Sequence, residues 1–252
     1  ILRRFSLFAD NEVDINGDDV WGTVPYLWNE IKELQYIQSP YAGSADTEPA
    51  YISPSKQLVI THPNHPPMQL YFNTDIDKLD PADGVTPVPL GYAFIQMDFT
   101  HLDSITPINW ANGYPRACAS FNGRLILAGS QDKPIIGDPA AVATETVWGT
   151  EVGLWETFTD PDAEEGVIPS DSIEFTTIYR SPIQWVYGQK ALLIGALEME
   201  YTASADGIFQ PADIGVSMQH THGSVAVQPV GFGETVLFPA DGGTRVRAMN
   251  YQ

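Results

Sequence analysis

From Gln57 onward, turn signals break the sequence about every 8–12 residues, and this rhythm limits the fold more than any other feature. Twenty prolines and 21 glycines are spread along the chain. That is too many for a helical bundle and well suited to short strands joined by turns. Strand-like runs follow one another as QLVIT, QLYF, YAFIQMDF, ACASF, RLILAG, TVWGT, IEFTTIY, IQWVYG, ALLIGAL, EMEYTA, SVAVQPVG, ETVLFPA and TRVRAMNY. Asn122–Gly123 separates two of them. Both residues tolerate positive φ, so a tight type I′ hairpin is expected there, with Phe121 and Leu125 able to pair across it. GFGE at 231–234 and DGG at 241–243 read as further hairpin turns. The fold class implied is all-β, an antiparallel meander of sandwich or propeller type. Residues 26–38 form the best helix candidate, because Leu27, Ile31 and Leu34 fall on one helical face, although KELQYIQS reads equally well as a strand.

The chain holds 32 acidic residues against 12 lysines and arginines, a formal charge of −20. Such a surface does not grip a phosphate backbone; it reads first as a soluble acidic surface and leaves open a wall past which nucleic acid slides. DPDAEEG at 160–166 reads as an exposed acidic loop. Cys118 is the single cysteine, so no internal disulfide forms, which fits a reducing compartment or a particle assembled in one. The longest apolar run, Ala191–Leu197, is too short to span a bilayer, and no membrane insertion by this chain is expected. The opening ILRRFSLF lacks an initiator methionine, and the closing TRVRAMNYQ reads as a strand in progress. A piece of a longer polypeptide is therefore expected. Residues 1–56 read as an acidic loop and connecting segment partly packed on the body, and residues 57–252 as the β-rich body.

The segment THPNHPPMQLYF places His62 and His65 among Pro63, Pro66 and Pro67. In extended backbone, residues three apart point to opposite faces, so a shared metal needs a sharp turn at Pro63–Asn64. A rigid turn with locally bonded imidazoles is the expected role. His220 and His222 share a face if they lie on a strand, but no third ligand stands near them in sequence. Asp14, Asn16 and Asp18 alternate as calcium ligands do, yet the glycine and the final glutamate of an EF-hand loop are misplaced or missing. Asp98/Asp103 and Glu198/Glu200 resemble glycosidase carboxylate pairs, but so acidic a chain produces such pairs by chance. P-loop, Rossmann, H-E-x-x-H and G-x-S-x-G patterns are absent. No catalytic residue, metal or cofactor is assigned. Trp148 and Trp155 bracket WGTEVGLW, with Phe158 beyond. They read as anchors of a hairpin core or, at an assembly surface, as interface anchors.

GYPRACASFNGRLILAGS (113–130) followed by VWGTEVGLWETFT (147–159) resembles the central signature of the tail nozzle proteins of short-tailed bacteriophages, also called tail tubular protein B. The elements that carry the resemblance are Tyr114, Pro115, Phe121, Arg124, Leu125, Ala128 and Gly129, then Trp148 and Phe158. IKELQYIQS with LVITHPNHPPMQLYF is similar to the upstream part of that family. Residues 207–238 and the strand GGTRVRAMNYQ are similar to its downstream part. The resemblance runs in order from about residue 30 to 252. The glycine- and arginine-rich opening of the family is missing, as is its continuation beyond the last tyrosine, and the insert at 132–145 is longer than the family pattern. The resemblance implies a β-propeller-like body built from antiparallel meanders and hairpins, assembled as a hexameric ring beneath an adaptor or portal-proximal ring. Tail fibres or distal tail proteins would dock on it, and DNA would pass through without sequence-specific binding. The implied place is the virion tail, assembled in the host cytoplasm. The role is structural, with no enzymatic chemistry carried over. Here the proline cluster would fix the direction of two strands. Residues 160–166 and 132–145 are candidate gate loops, and the acids of 160–165 are candidates for the channel wall. The alternatives are a carbohydrate-binding β-domain of a tail fibre or receptor-binding protein, a glycan hydrolase, and an assembly protein of a longer-tailed phage.

Overall fold

The computed structural model describes residues 50–52, 57–75, 77–80, 84–88, 91–101, 104–107, 114–130, 143–159, 168–206, 208–211 and 213–250. The helix candidate at 26–38, the acidic loops at 10–19 and 160–166 and nearly all of the insert at 132–145 lie outside them.

Each main sheet is a short meander. Sheet I runs β1 (Ala50–Ile52), β2 (Gln57–His62), β3 (His65–Asn73), β4 (Gly91–Gln96) in that order. β5 (Thr100–His101) and β6 (Ser104–Pro107) form a small sheet, which β10 (Thr157–Phe158) joins in parallel. Sheet II contains β7 (Ala117–Phe121), β8 (Arg124–Ser130), β9 (Ala143–Gly149) and β11 (Ile173–Thr176). Sheet III runs β12 (Ile183–Gly188), β13 (Leu192–Ala196), β14 (Glu200–Ser204), β15 (Gly215–His220). Sheet IV runs β16 (Val230–Phe232), β17 (Thr235–Ala240), β18 (Arg245–Asn250). β1 precedes residue 57, yet it pairs with β2 through Ala50↔Thr61 and Ile52↔Val59.

The all-β class is as read from the turn rhythm, but the propeller-like body is not what forms. Among the described residues the sheets remain separate, and none closes or curls into a propeller. Consecutive sheets meet through side-chain faces, and the Tyr51 N–H of β1 also donates to Gln228 Oε1, just ahead of β16, at 3.3 Å. Ala50 and Val59 of sheet I pack with Cys118, Leu125, Leu127 and Trp148 of sheet II. The other face of sheet II, with Ala117, Ala119, Phe121, Ile126 and Val147, packs on Val186, Leu192, Ile194 and Tyr201 of sheet III. Trp185 and Leu193, on the far side of sheet III, pack on Val236, Phe238 and Met249 of sheet IV. Strand alternation makes this possible: neighbours such as Leu125 and Ile126 serve opposite cores. Cys118 is sealed in the first of these interfaces, where burial pushes its thiol up to about 12.

Two hairpins refine the sequence reading. At Asn122–Gly123 the φ angles are 48° and 75°, and a two-residue turn joins β7 to β8. The closing pair is Phe121↔Arg124, while Leu125 faces Ser120 instead of Phe121. Pro66 and Pro67 lie inside β3 and are not a linker ahead of it. A proline is tolerated near the start of a strand, and the register shift between Ile60 and His62 removes the need for its N–H.

Gly195 sits directly opposite Trp185 in the β12–β13 pair, and a Cβ there would lie 2.1 Å from Trp185 Cε2. The indole cannot retreat, because Phe238 of sheet IV stands 5.1 Å away, centroid to centroid. Gly195→Ala is expected to cost about 3 kcal/mol through overpacking. A thermal melt of the variant beside the native chain measures this.

Candidate assembly surfaces

The residues singled out from sequence fall into three places. His62 and His65 face each other across the β2–β3 hairpin, with ring centroids 5.0 Å apart and planes at 43°. Pro63–Asn64 is thus the sharp turn, and the two imidazoles lie side by side. The Asn64 N–H donates to His62 Nδ1 at 3.1 Å, so that nitrogen is an acceptor within the turn. The turn also holds sheet I to the entry of sheet II. Tyr114 N–H donates to the Pro63 carbonyl at 3.1 Å, and Thr61 Oγ1 donates to the Arg116 carbonyl at 3.3 Å. Among the described residues, no group of three or more His, Cys, Asp or Glu side chains is placed to hold a metal.

Arg124 follows the Asn122–Gly123 turn and is fully buried. Its Nη1 donates to the carbonyls of Thr150 (2.7 Å) and Ser170 (3.1 Å), and its Nη2 to that of Pro169 (2.7 Å). A planar fork with several donors suits this, where a lysine offers only a point charge. Burial lowers the Arg124 pKa, while Asp171 and Glu151 pull it back up. Trp148 and Phe158 are buried in the core between sheets I and II, and Trp155 is half-buried against it. Arg124 thus clamps the 168–171 turn to sheet II, and Trp148 and Phe158 fill the interior.

The paired acids and the second histidine pair do not converge on a site. Glu200 is fully buried; its carboxylate accepts from Ser224 Oγ at 3.0 Å and from the His222 N–H at 3.3 Å. Glu198 is exposed. The His220 and His222 rings stack at 5.4 Å with planes 19° apart, and no third metal-ligating side chain joins them among the described residues. Asp103 lies outside the described residues.

The surfaces that stand out are the outer faces of sheets I and IV, although Ile60 is buried on the first. On sheet I the pairing places Tyr51, Ile60, Met68 and Gln96 in one row, Leu58, Leu70 and Phe94 in a second, and Phe72 with Tyr92 in a third. This is the face turned away from sheet II. Tyr51 is 55% exposed, and Phe72 and Tyr92 are exposed and meet edge to face at 5.2 Å. On sheet IV the face away from sheet III carries Val230, Phe232, Leu237, Pro239, Val246 and Ala248. Phe232 is 79% exposed and Val246 72%. Neither face bears a charged side chain in these rows, although the chain has 44 Asp, Glu, Lys and Arg in all (32 + 12).

The sequence reading missed these residues. β18, RVRAMN, alternates charge with apolar side chains, which ordinarily points Val246 and Ala248 inward. Instead Arg247 and Arg245 share the inner face with Phe238 and Ala240, and Met249 enters the core. Asp241 draws both arginines to the sheet end: Arg247 Nη2 lies 3.1 Å from its Oδ2, and Arg245 Nη1 lies 3.8 Å from it. The available signal was VLF at 236–238, where apolar residues occupy both faces of β17. No protein-family model matches the chain, and no curated protein is significantly similar to it.

One half-buried carboxylate tunes the attachment of sheet I. Glu156 Oε1 accepts from Gln69 Nε2 at 2.6 Å and from the Asp98 N–H at 3.3 Å. Burial raises its pKa, Asp98 adds to the rise, and Lys78 opposes it. The folded chain therefore holds this proton more tightly than the unfolded chain. Stability from this group is full below the ordinary glutamate pKa and is lost as pH climbs through the raised value. Glu156→Gln keeps the acceptor and removes the charge. The variant is expected to melt higher than the native chain at neutral pH, with the gap closing in acid, as melts across a pH series will show.

Proposed function

We propose that the chain is a structural component of a phage tail nozzle and that its copies form a ring-shaped channel that retains packaged DNA and lets it pass on ejection. The observation that carries this reading is the set of exposed apolar side chains on sheets I and IV, Tyr51, Phe72 and Tyr92 on the one and Val230, Phe232 and Val246 on the other, in a chain of charge −20. Large exposed apolar patches mark association surfaces. The four resembling segments, in order from about residue 30 to 252, supply the tail nozzle identity. The charge suits a conduit, because acids along a channel wall repel phosphate and keep DNA from sticking. In this reading the assembly is a hexamer in the virion tail, put together in the host cytoplasm. It takes an adaptor or portal-proximal ring above and tail fibres or distal tail proteins beside it.

A second reading has its own observation. Tyr51, Phe72 and Tyr92 are exposed aromatics on one sheet face, as in a carbohydrate-binding β-domain. Electron microscopy of the full chain, alone and in its particle, separates the two. A sixfold ring with a central hole, and no retention of duplex DNA at moderate salt, is the expected result. A lone monomer that binds oligosaccharide and loses that binding in Tyr92→Ala would overturn the nozzle reading in favour of the second.

A further inference from the structure

We propose that Asn122 is a modification site controlled by the fold. The β7–β8 turn holds it as asparagine, opening of that hairpin lets it convert to isoaspartate, and the converted turn no longer sets Arg124 in place. This stands independently of the assembly reading.

The chemistry belongs to the Asn122–Gly123 pair. Once base has taken its proton, the Gly123 main-chain nitrogen bonds to Asn122 Cγ. The Cγ–Nδ2 bond breaks, and Nδ2 takes up a proton and leaves as ammonia. Water then opens the five-membered imide at either carbonyl, giving aspartate or isoaspartate. Glycine favours the step because no Cβ shields its nitrogen. Both residues are exposed, so base and water reach them. The native turn nonetheless withholds the geometry. Its φ angles of 48° and 75°, in a two-residue loop, are those of a type I′ turn. The first central residue of such a turn has a ψ of about +30°. At that ψ the Asn122 Cβ and the Gly123 nitrogen lie on nearly opposite sides of the Cα–C bond. Ring closure needs them on the same side.

Several contacts keep the turn from swinging round. Phe121↔Arg124 closes the hairpin. The Gly153 N–H donates to the Gly123 carbonyl at 2.8 Å. Arg124, the next residue, is anchored on the carbonyls of Thr150, Ser170 and Pro169. Conversion therefore waits for an opening that releases these contacts together. Isoaspartate routes the main chain through Cβ, which adds one atom to a turn of two residues. The Phe121↔Arg124 pair then loses its register, and the guanidinium loses its aim at three carbonyls. Ordinary aspartate keeps the chain length and is accepted by this turn type.

The test incubates the full chain at mildly alkaline pH in buffer, in guanidinium chloride below its unfolding transition, and above it. Peptide mapping by mass spectrometry counts conversion at Asn122, and isoaspartyl methyltransferase labelling identifies isoaspartate. Conversion in buffer is expected to be about tenfold or more slower than in the unfolded chain, and to quicken with denaturant below the transition and in Arg124→Lys. Equal rates in the native and unfolded chains would overturn the protection. A native rate that neither denaturant nor Arg124→Lys raises would overturn the hairpin as the route. If Arg124→Lys does not fold, the denaturant series decides alone. Chains converted while unfolded are then refolded and melted beside Asn122→Asp taken through the same treatment. That control carries the same changes at the other Asn-Gly pairs, Asn16–Gly17 and Asn112–Gly113. The isoaspartate chain is expected to melt lower than the control, and equal melting would overturn the displacement of Arg124.

Discussion

The central strands β8 of sheet II and β13 of sheet III have no face to give to water, and the rest of the structure follows from that. Leu125, Leu127 and Trp148 point one way from sheet II, and Ile126, Ala128 and Val147 point the other. Sheet III divides in the same manner, with Leu193 and Trp185 opposed to Leu192 and Ile194. A sheet apolar on both sides must be covered on both sides. Sheets I and IV supply that cover. Gly195 lets the Trp185 indole lie flat against its own sheet, and Arg124 satisfies three turn carbonyls beside the core. Burial at such interfaces is what offsets the entropy of ordering so many turns.

Among the described residues, the outward rows of sheets I and IV carry exposed apolar side chains and no charged ones. In the proposed assembly, carboxylates would keep phosphate at a distance while these apolar rows would supply contact between copies. The tail nozzle reading uses both properties together, one for the conduit and one for the ring that encloses it.

Local features were legible in the sequence wherever one residue type has a single physical use. Asn122–Gly123 announces its turn because few other pairs accept positive φ twice in succession. The closing register was harder: with a two-residue turn Phe121 meets Arg124, and the next pair out is Ser120 with Leu125. The prolines after His65 looked like a break, yet β3 runs through them, because its register shift spares the missing N–H groups. The propeller expectation failed for another reason. Strand number and spacing describe hairpins, but how separate sheets stack depends on which side chains share a face. β18 makes the point, since Met249 enters the core and carries Arg245 and Arg247 onto the same face, where both reach Asp241. The exposed residues of the end sheets were illegible because an apolar strand residue carries the same letter whether its cover is inside the chain or outside it.

The dependence of self-association on salt tests the central claim most directly. Copies held by uncharged apolar faces against the repulsion of −20 charges should associate more tightly as salt screens that repulsion. Sedimentation velocity across a sodium chloride series is therefore predicted to shift toward larger species as salt rises. Dissociation with added salt would mean that ion pairs hold the copies together and would contradict the account, as would a monomer at every salt concentration.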